Sequence, residues 1–514
     1  MKKHIAFLLV FVMLLSLLAG CGQEGGEVEA GGPRDTLNVS SPMVISQIHP
    51  WDGSTLFCNQ VRFQLYDSFY FYNDLTQEFE PRLAESYTVS DDGLVYTFKI
   101  RDNATFHNGD PVLASDAVYS VNRAIEHPSM ASYTAAIDKV EAVDERTVAI
   151  TLKNPSSPFM SNLVNVFICS EKACEEAGDT LGNSAVLCGS GPYYVKEYNP
   201  DVQIVLSAYE DYYRGAASIK TVNIKPITDS NTGLIAFENG ELDFYNIPAS
   251  SWEDISSSGK YNTQMVAENH ITYININFTG ILADKNLRLA IAHCIDKEAM
   301  SLASYSGLTE IAHGMLNPTY IFGAPSDPIE YEYDLEKAKQ YLEAAGYPDG
   351  VDIGTILCIG GGYHEKNCVV FQNALAQIGI TVAIEPMEQA AALAQMSTGD
   401  FEILTCGYSC QSDYDFWRAM SHSDSEENQY MKFSQAPDDL KAIFAQTDAL
   451  YDQASTELDP EVRKDLYKQL DDLMMETVTY LPIFYRSSTY AWHKDLNTVL
   501  HSNFYYIYDF SWNN

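Results

Sequence analysis

Positive charge is what this chain has least of. Its 514 residues carry 31 lysines and arginines against 70 aspartates and glutamates, a formal net charge of −39. Binding phosphate needs clustered Lys and Arg, and no basic run occurs after Lys3, which sets nucleic-acid partners aside. The same charge is repelled by an anionic bilayer, so a body folded from this chain stands off a membrane surface. No apolar run reaches the length of a permanent membrane span. The N-terminal one, Ile5 to Leu18, has fourteen residues, whereas a hydrocarbon core roughly 30 Å thick asks for about 20. There is no internal repeat, no low-complexity stretch beyond residues 22–34, and no Gly-x-Ser-x-Gly elbow, Gly-x-x-x-x-Gly-Lys phosphate loop or paired nucleophile and base.

What is present begins with Lys2 and Lys3, a short positive segment ahead of the apolar run, the order of a secretory signal. Leu18-Ala19-Gly20-Cys21 then resembles the bacterial lipobox. That resemblance implies cleavage after residue 20 and a lipidated Cys21 as the new N-terminus, with a plain signal peptide as the alternative. Residues 21–35 hold five glycines and only one large apolar residue, Val28, and so read as a flexible tether. The expected location is the extracellular face of the cell membrane, held there by the lipid. By length the mature chain is a prior of two to four domains, and a hydrophobic content of 46 % gives it ample core. The 34 tyrosines and 23 phenylalanines suit strands and core, and exposed tyrosines also suit a cleft for organic ligands. Cysteines stand at 21, 58, 169, 174, 188, 294, 358, 368, 406 and 410. Without the lipidated one, nine remain, so one thiol stays free unless two chains pair; this points to an oxygen-poor habitat and leaves any connectivity open.

Strand-like and helix-like patterns alternate, the mark of a mixed α/β protein. Apolar alternation predicts strands over 36–40, 95–100, 146–152, 202–208 and 220–227. A helix is predicted over 284–300, capped by Asp284 with Leu287, Ile291, Cys294 and Ile295 on one face, and another over 333–350, capped by Asp334 and stopped by Gly346. Residues 369–387 pass from helix through Gly379 into a strand, and 401–408 read as a further strand.

Residues 81–122, PRLAESYTVSDDGLVYTFKIRDNATFHNGDPVLASDAVYSVN, resemble the signature of the family 5 extracellular solute-binding proteins, the peptide, opine and nickel receptors of ABC importers. Gly189-Ser190-Gly191-Pro192-Tyr193, Asn277 with Arg288 and Asp296 in the following helix, 333–350 and Ile378-Gly379-Ile380 continue the likeness along the chain. The resemblance implies a two-lobed periplasmic-binding-protein-like fold (type II, cluster C) with a hinge between the lobes. It places lobe I at 36–280, with an extra subdomain near 58–186, lobe II at 281–484, and a return to lobe I at 485–514. No catalysis and no cofactor are implied. The partners would be a peptide or other small organic solute, an ABC permease and its ATPase, and the chain would act as a monomer.

In peptide-binding members an Asp shortly after a Gly-Trp turn pairs with the ligand's ammonium. Here Tyr408 stands where the tryptophan is usual, and the ammonium position falls on Gln411. With one residue deleted, Asp413-Tyr414-Asp415 realigns with the family's Asp-Pro-Asp and that position moves to Cys410; Asp413 is also placed to replace the missing carboxylate. His49 and Trp51 would border the cleft, Trp417 would stack on a ligand, and Tyr485 matches a cleft-edge position. Two other readings stay open: a nickel or metal-chelate receptor, for which His422 follows the cleft helix, and a metallohydrolase using His364, Glu365 and Cys368, a stretch one residue short of His-Glu-x-x-His.

Overall fold

The computed structural model describes residues 34–52, 56–317, 328–409, 416–424, 432–502 and 504–513. Cys21, most of the tether and the candidates Cys410, Gln411, Asp413 and Asp415 lie outside the described residues.

The alternating segments do form strands, since alternate side chains fall on opposite faces. The principal ones are β1 (Thr36–Ser41), β2 (Tyr193–Asn199), β3 (Gln203–Ala208), β4 (Thr221–Pro226), β5 (Phe244–Asn246), β6 (Asn262–Ile276), β7 (Val351–Ile359), β8 (Ile380–Met387), β9 (Ile403–Ser409) and β10 (Tyr480–Trp492). With the short strand Glu310–Ile311 they make one 11-stranded sheet in the order β8-β7-β9-β6-β10-β5-β1-β4-β3-β2. A separate antiparallel sheet of four strands, Ala84–Val89, Val95–Ile100, Thr147–Leu152 and Ile137–Asp144, carries the helix Ala114–Glu126. Among the described residues no helix is long and apolar enough to cross a membrane.

The fold is two-lobed, and its buried apolar side chains fall into separate clusters. Leu37 to Val266 and Trp492 to Trp512 supply one large apolar cluster, while Ile271 to Tyr485 supply two others. Among the described residues, the strands that run from one set of clusters into the other are β6 and β10. Their pairing breaks at the crossing. Ala267 faces Ser487 and Ile271 faces Tyr485, so Glu268, Asn269 and His270 stand opposite the single residue Arg486. An irregularity of this kind interrupts regular pairing and bends the strand.

The apolar periodicity over 284–300 continues through a break that it does not reveal. The structure has two helices there, α1 (Lys285–Ala292) and α2 (Lys297–Tyr305). Asp284 caps the first by accepting from the amides of Asn286 and Leu287, and Asp296 caps the second by accepting from Ala299. The two caps compete for one chain, and the turn between them still buries Cys294 and Ile295. Helix α3 (Leu335–Ala344) follows its Asp334 cap and buries Ala338 and Leu342. Helix α4 (Tyr363–Gln377) ends before Gly379, whose φ of +89° only glycine adopts freely.

Candidate functional site

Each lobe contains a strand whose two neighbours both run parallel to it. β1 lies between β4 and β5, and β7 lies between β8 and β9. In open α/β sheets ligands bind outside the carboxyl ends of such strands, because connections leave to opposite sides and open a crevice. Pairing with the crossing strands shows where those ends point. The end of β5 brings Asn246 beside Tyr490, and the end of β9 brings Ser409 beside His270. Both crevices therefore open toward the break at residues 268–270 and 486. On the first side a cavity of about 150 Å³ is lined by Ser40, Pro42, Thr228, Ser230, Asn246 and Tyr490. On the second, Gly360-Gly361-Gly362 turn the chain into α4, with Glu365 accepting a hydrogen bond from the Gly361 amide at 2.7 Å.

A continuous polar chain crosses the break. Asn246 Nδ2 donates to Ser488 Oγ at 3.3 Å, and Ser488 Oγ donates to Glu268 Oε1 at 2.6 Å. Glu268 Oε2 lies 3.1 Å from Arg486 Nη2; their side chains keep 13 % and 27 % of their exposure. The Arg486 guanidinium lies 5.8 and 5.5 Å from the ring centroids of Tyr305 and Tyr363, within cation–π range. The Tyr363 hydroxyl sits 3.2 Å from His270 Nε2, and His270 Nδ1 sits 2.7 Å from Ser409 Oγ. Ser409 is the last described residue before 410–415, the stretch of sequence that contains Cys410, Gln411, Asp413 and Asp415.

The electrostatics fix charge states. Burial works against the Arg486 cation, yet Glu268 and the two tyrosines hold its pKa above the ordinary value. Burial, reinforced by Arg486, lowers His270 well below the usual range and lowers His364 to about 4. Both histidines are therefore neutral at pH 7, and Tyr363, pushed up to about 12 by burial, keeps its proton. The cluster thus offers one guanidinium, one carboxylate and neutral donors and acceptors. Arg486 Nε, His364 Nδ1 and Asn367 Nδ2 are buried without a hydrogen-bond partner among the described residues, capacity that a bound polar molecule can take up.

Gly407 makes the cluster possible. A Cβ there would lie 2.4 Å from His270 Nε2 and 2.6 Å from the Tyr363 hydroxyl. Gly407→Ala is expected to lower stability by about 1–3 kcal/mol as the two rings are pushed aside, and to weaken ligand binding along with it; urea denaturation and titration calorimetry on one preparation check both.

The residues singled out from sequence are placed as follows. Tyr408 is half-buried on β9, with its ring 5.6 Å from that of Trp417. Trp417 is 1 % exposed and packs edge-on against Tyr273 and Tyr480. Trp51 is likewise buried and donates its indole N–H to the Phe167 carbonyl, while His49 stacks on His127. The Tyr485 hydroxyl is held within 2.8 Å of the Gly314 and Leu316 carbonyls, next to Arg486 at the crossing. His422 is buried beside Asp424 and Asp448. His364, Glu365 and Cys368 do not converge, because Glu365 turns to Gly361 and Cys368 Sγ lies 2.8 Å from Thr405 Oγ1. Arg486, Glu268 and His270 escaped the sequence reading, although Glu268 and His270 are polar interruptions inside the strand-like run VAENHITYINI.

The family model of the bacterial extracellular solute-binding proteins, family 5, matches residues 78–429. The glutathione-binding protein GsiB of Salmonella typhi is 27 % identical over 468 residues, covering 87 % of this chain and 88 % of its own. Among solved structures, NikA from Brucella suis, in complex with Fe(III)-EDTA, superposes with a TM-score of 0.83 at 22 % identity, over 93 % of this chain and all of its own. The oligopeptide-binding protein AppA of Bacillus subtilis, in complex with a nonapeptide, gives 0.76 at 23 % identity, over 94 % of this chain and all of its own.

Proposed function

Since the chain belongs to the family 5 bacterial extracellular solute-binding proteins, the substrate-binding components of ABC transporters and not enzymes, we propose that it binds a short peptide or similar zwitterionic solute between its lobes. It then delivers that solute to a permease driven by a separate ATPase. The observation that supports the ligand class is the Arg486–Glu268 pair at the lobe crossing. A guanidinium meets a carboxylate in forked geometry and a carboxylate meets an ammonium, so the pair is matched to a molecule carrying both charges. Asp413 and Asp415 are candidates for a second contact to the ammonium, and Gln411 or Cys410 for a neutral one. Closure rotates the lobes about residues 267–271 and 485–487 and buries the solute. The lobes proposed are 36–280 with 485–514, and 281–484, and the crossing strands β6 and β10 carry the hinge. Anchoring through a lipid on Cys21 and action as a monomer belong to the same proposal.

Thermal shift against matched tripeptides tests the ligand class. Peptides with free termini are expected to raise Tm, and forms blocked at the amine or the carboxylate to raise it far less. Equal shifts with free and blocked forms would contradict the reading. A second reading, a metal-chelate receptor, draws on the fold shared with NikA and is met by the same assay with a nickel or iron chelate.

A further inference from the structure

Three thiols meet in the first lobe, away from the polar chain just described. Cys169, Cys174 and Cys188 are buried, and their sulfurs all lie within 4.8 Å of one another; among the described residues this is the one group of three that could hold a metal ion. The backbone builds the cluster firmly. Ser170 caps the helix Glu171–Ala177 by accepting from the Ala173 amide, so Cys169 and Cys174 fall on either side of its first turn. Those are positions where two apolar side chains ordinarily clasp. The Ser170 amide donates to the Cys188 carbonyl at 2.9 Å, and Ser120 Oγ accepts from the Cys169 amide at 2.9 Å, which draws the third sulfur onto the other two. None of the eight described cysteines is in a disulfide.

We propose that Cys169, Cys174 and Cys188 form a thiolate site for a soft divalent d10 ion, Zn²⁺ in its natural setting. Zinc–sulfur bonds of about 2.3 Å set sulfurs about 3.8 Å apart, so the site closes by an ångström or less. Binding is balanced by loss of three protons: three thiols and one M²⁺ give a tris-thiolate of net charge −1 and three H⁺. Arg62, buried with a guanidinium nitrogen on the Pro50 carbonyl, and Arg123 put positive charge beside Cys169 and Cys174, so the residual −1 is met by neighbouring cations. The consequence is mechanical. The metal ties the helix Glu171–Ala177 to the Gly189-Ser190-Gly191 turn, where a Cβ on either glycine would collide with the Leu65 carbonyl, and the turn leads directly into β2.

Cadmium titration of the anaerobically purified protein tests this, since cadmium–thiolate charge transfer absorbs in the ultraviolet and scales with the number of thiolates. One equivalent per chain, about three protons released, and a raised Tm are expected. Cys174→Ala is expected to lose the saturable band, whereas Cys358→Ala and Cys368→Ala retain it, separating this cluster from the other neighbouring thiols. No retained cadmium or zinc after gel filtration with all three thiols intact would overturn the proposal. So would a disulfide among the three in protein isolated without oxygen, and so would an undiminished band in both Cys174→Ala and Cys188→Ala.

Discussion

Arg486→Ala is expected to bind a peptide with free termini between about thirtyfold and several thousandfold more weakly than the unaltered protein. Removing one member of a buried, hydrogen-bonded charge pair costs about 2–5 kcal/mol, at 1.4 kcal/mol per tenfold. Two losses combine in it. The ligand's anionic end loses a forked donor, and Glu268, left with the Ser488 Oγ donor among the described residues, loses its cationic partner. Arg486→Lys is expected to fall between, because an ammonium restores the charge and not the planar fork that also lies over Tyr305 and Tyr363. Titration calorimetry measures the loss, with circular dichroism to show that the sheet is intact. An Arg486→Ala protein that binds within threefold of the original would remove Arg486 from the site.

The second large effect concerns pH. Asp471 is fully buried, and burial raises its carboxyl to about 7 although Oδ1 accepts from the Met315 amide at 2.8 Å. A carboxyl with a folded pKa above its unfolded value keeps its proton longer in the folded chain. Its contribution is therefore most favourable below about pH 4 and is lost as pH rises toward and through about 7. A shift of about three units corresponds to roughly 4 kcal/mol by pH 8. Asp471→Asn removes the titration, so the difference in stability between variant and original is expected to turn progressively in the variant's favour from pH 5 to pH 8. Urea unfolding at a series of pH values reads that difference, and a difference independent of pH would show that Asp471 is ionised throughout. The residue also bears on the site. Its partner Met315 lies between the two carbonyls that hold Tyr485, and Asn317 Nδ2 donates to the Glu268 carbonyl, so ionising Asp471 loosens the segment packed against the crossing strands.

Several strands and two helix caps were legible because their signals are local. β1, β3 and β4 follow from alternation within six residues, and Asp284 and Asp334 cap where a short acidic side chain precedes an apolar period. The break between α1 and α2 was not, because apolar spacing runs unbroken across it and only Asp296, one acid among several nearby, marks the second start. Within the candidate site Glu268 and Arg486 were not legible: they are 218 positions apart, and nothing local announces that a missed register on two long strands brings them together. The burial of single aromatic residues is equally hard to read from sequence: Trp51 and Trp417 are each almost wholly enclosed by neighbouring rings and carbonyls.

Native mass spectrometry of the chain from Gly22 onward, released gently from its host, reads whether the protein takes short peptides or similar zwitterions. The expected result is a set of co-purified masses that fragment as short peptides and are absent from Arg486→Ala. A single non-peptide mass, or a nickel adduct carried equally by the original protein and by Arg486→Ala, would contradict it.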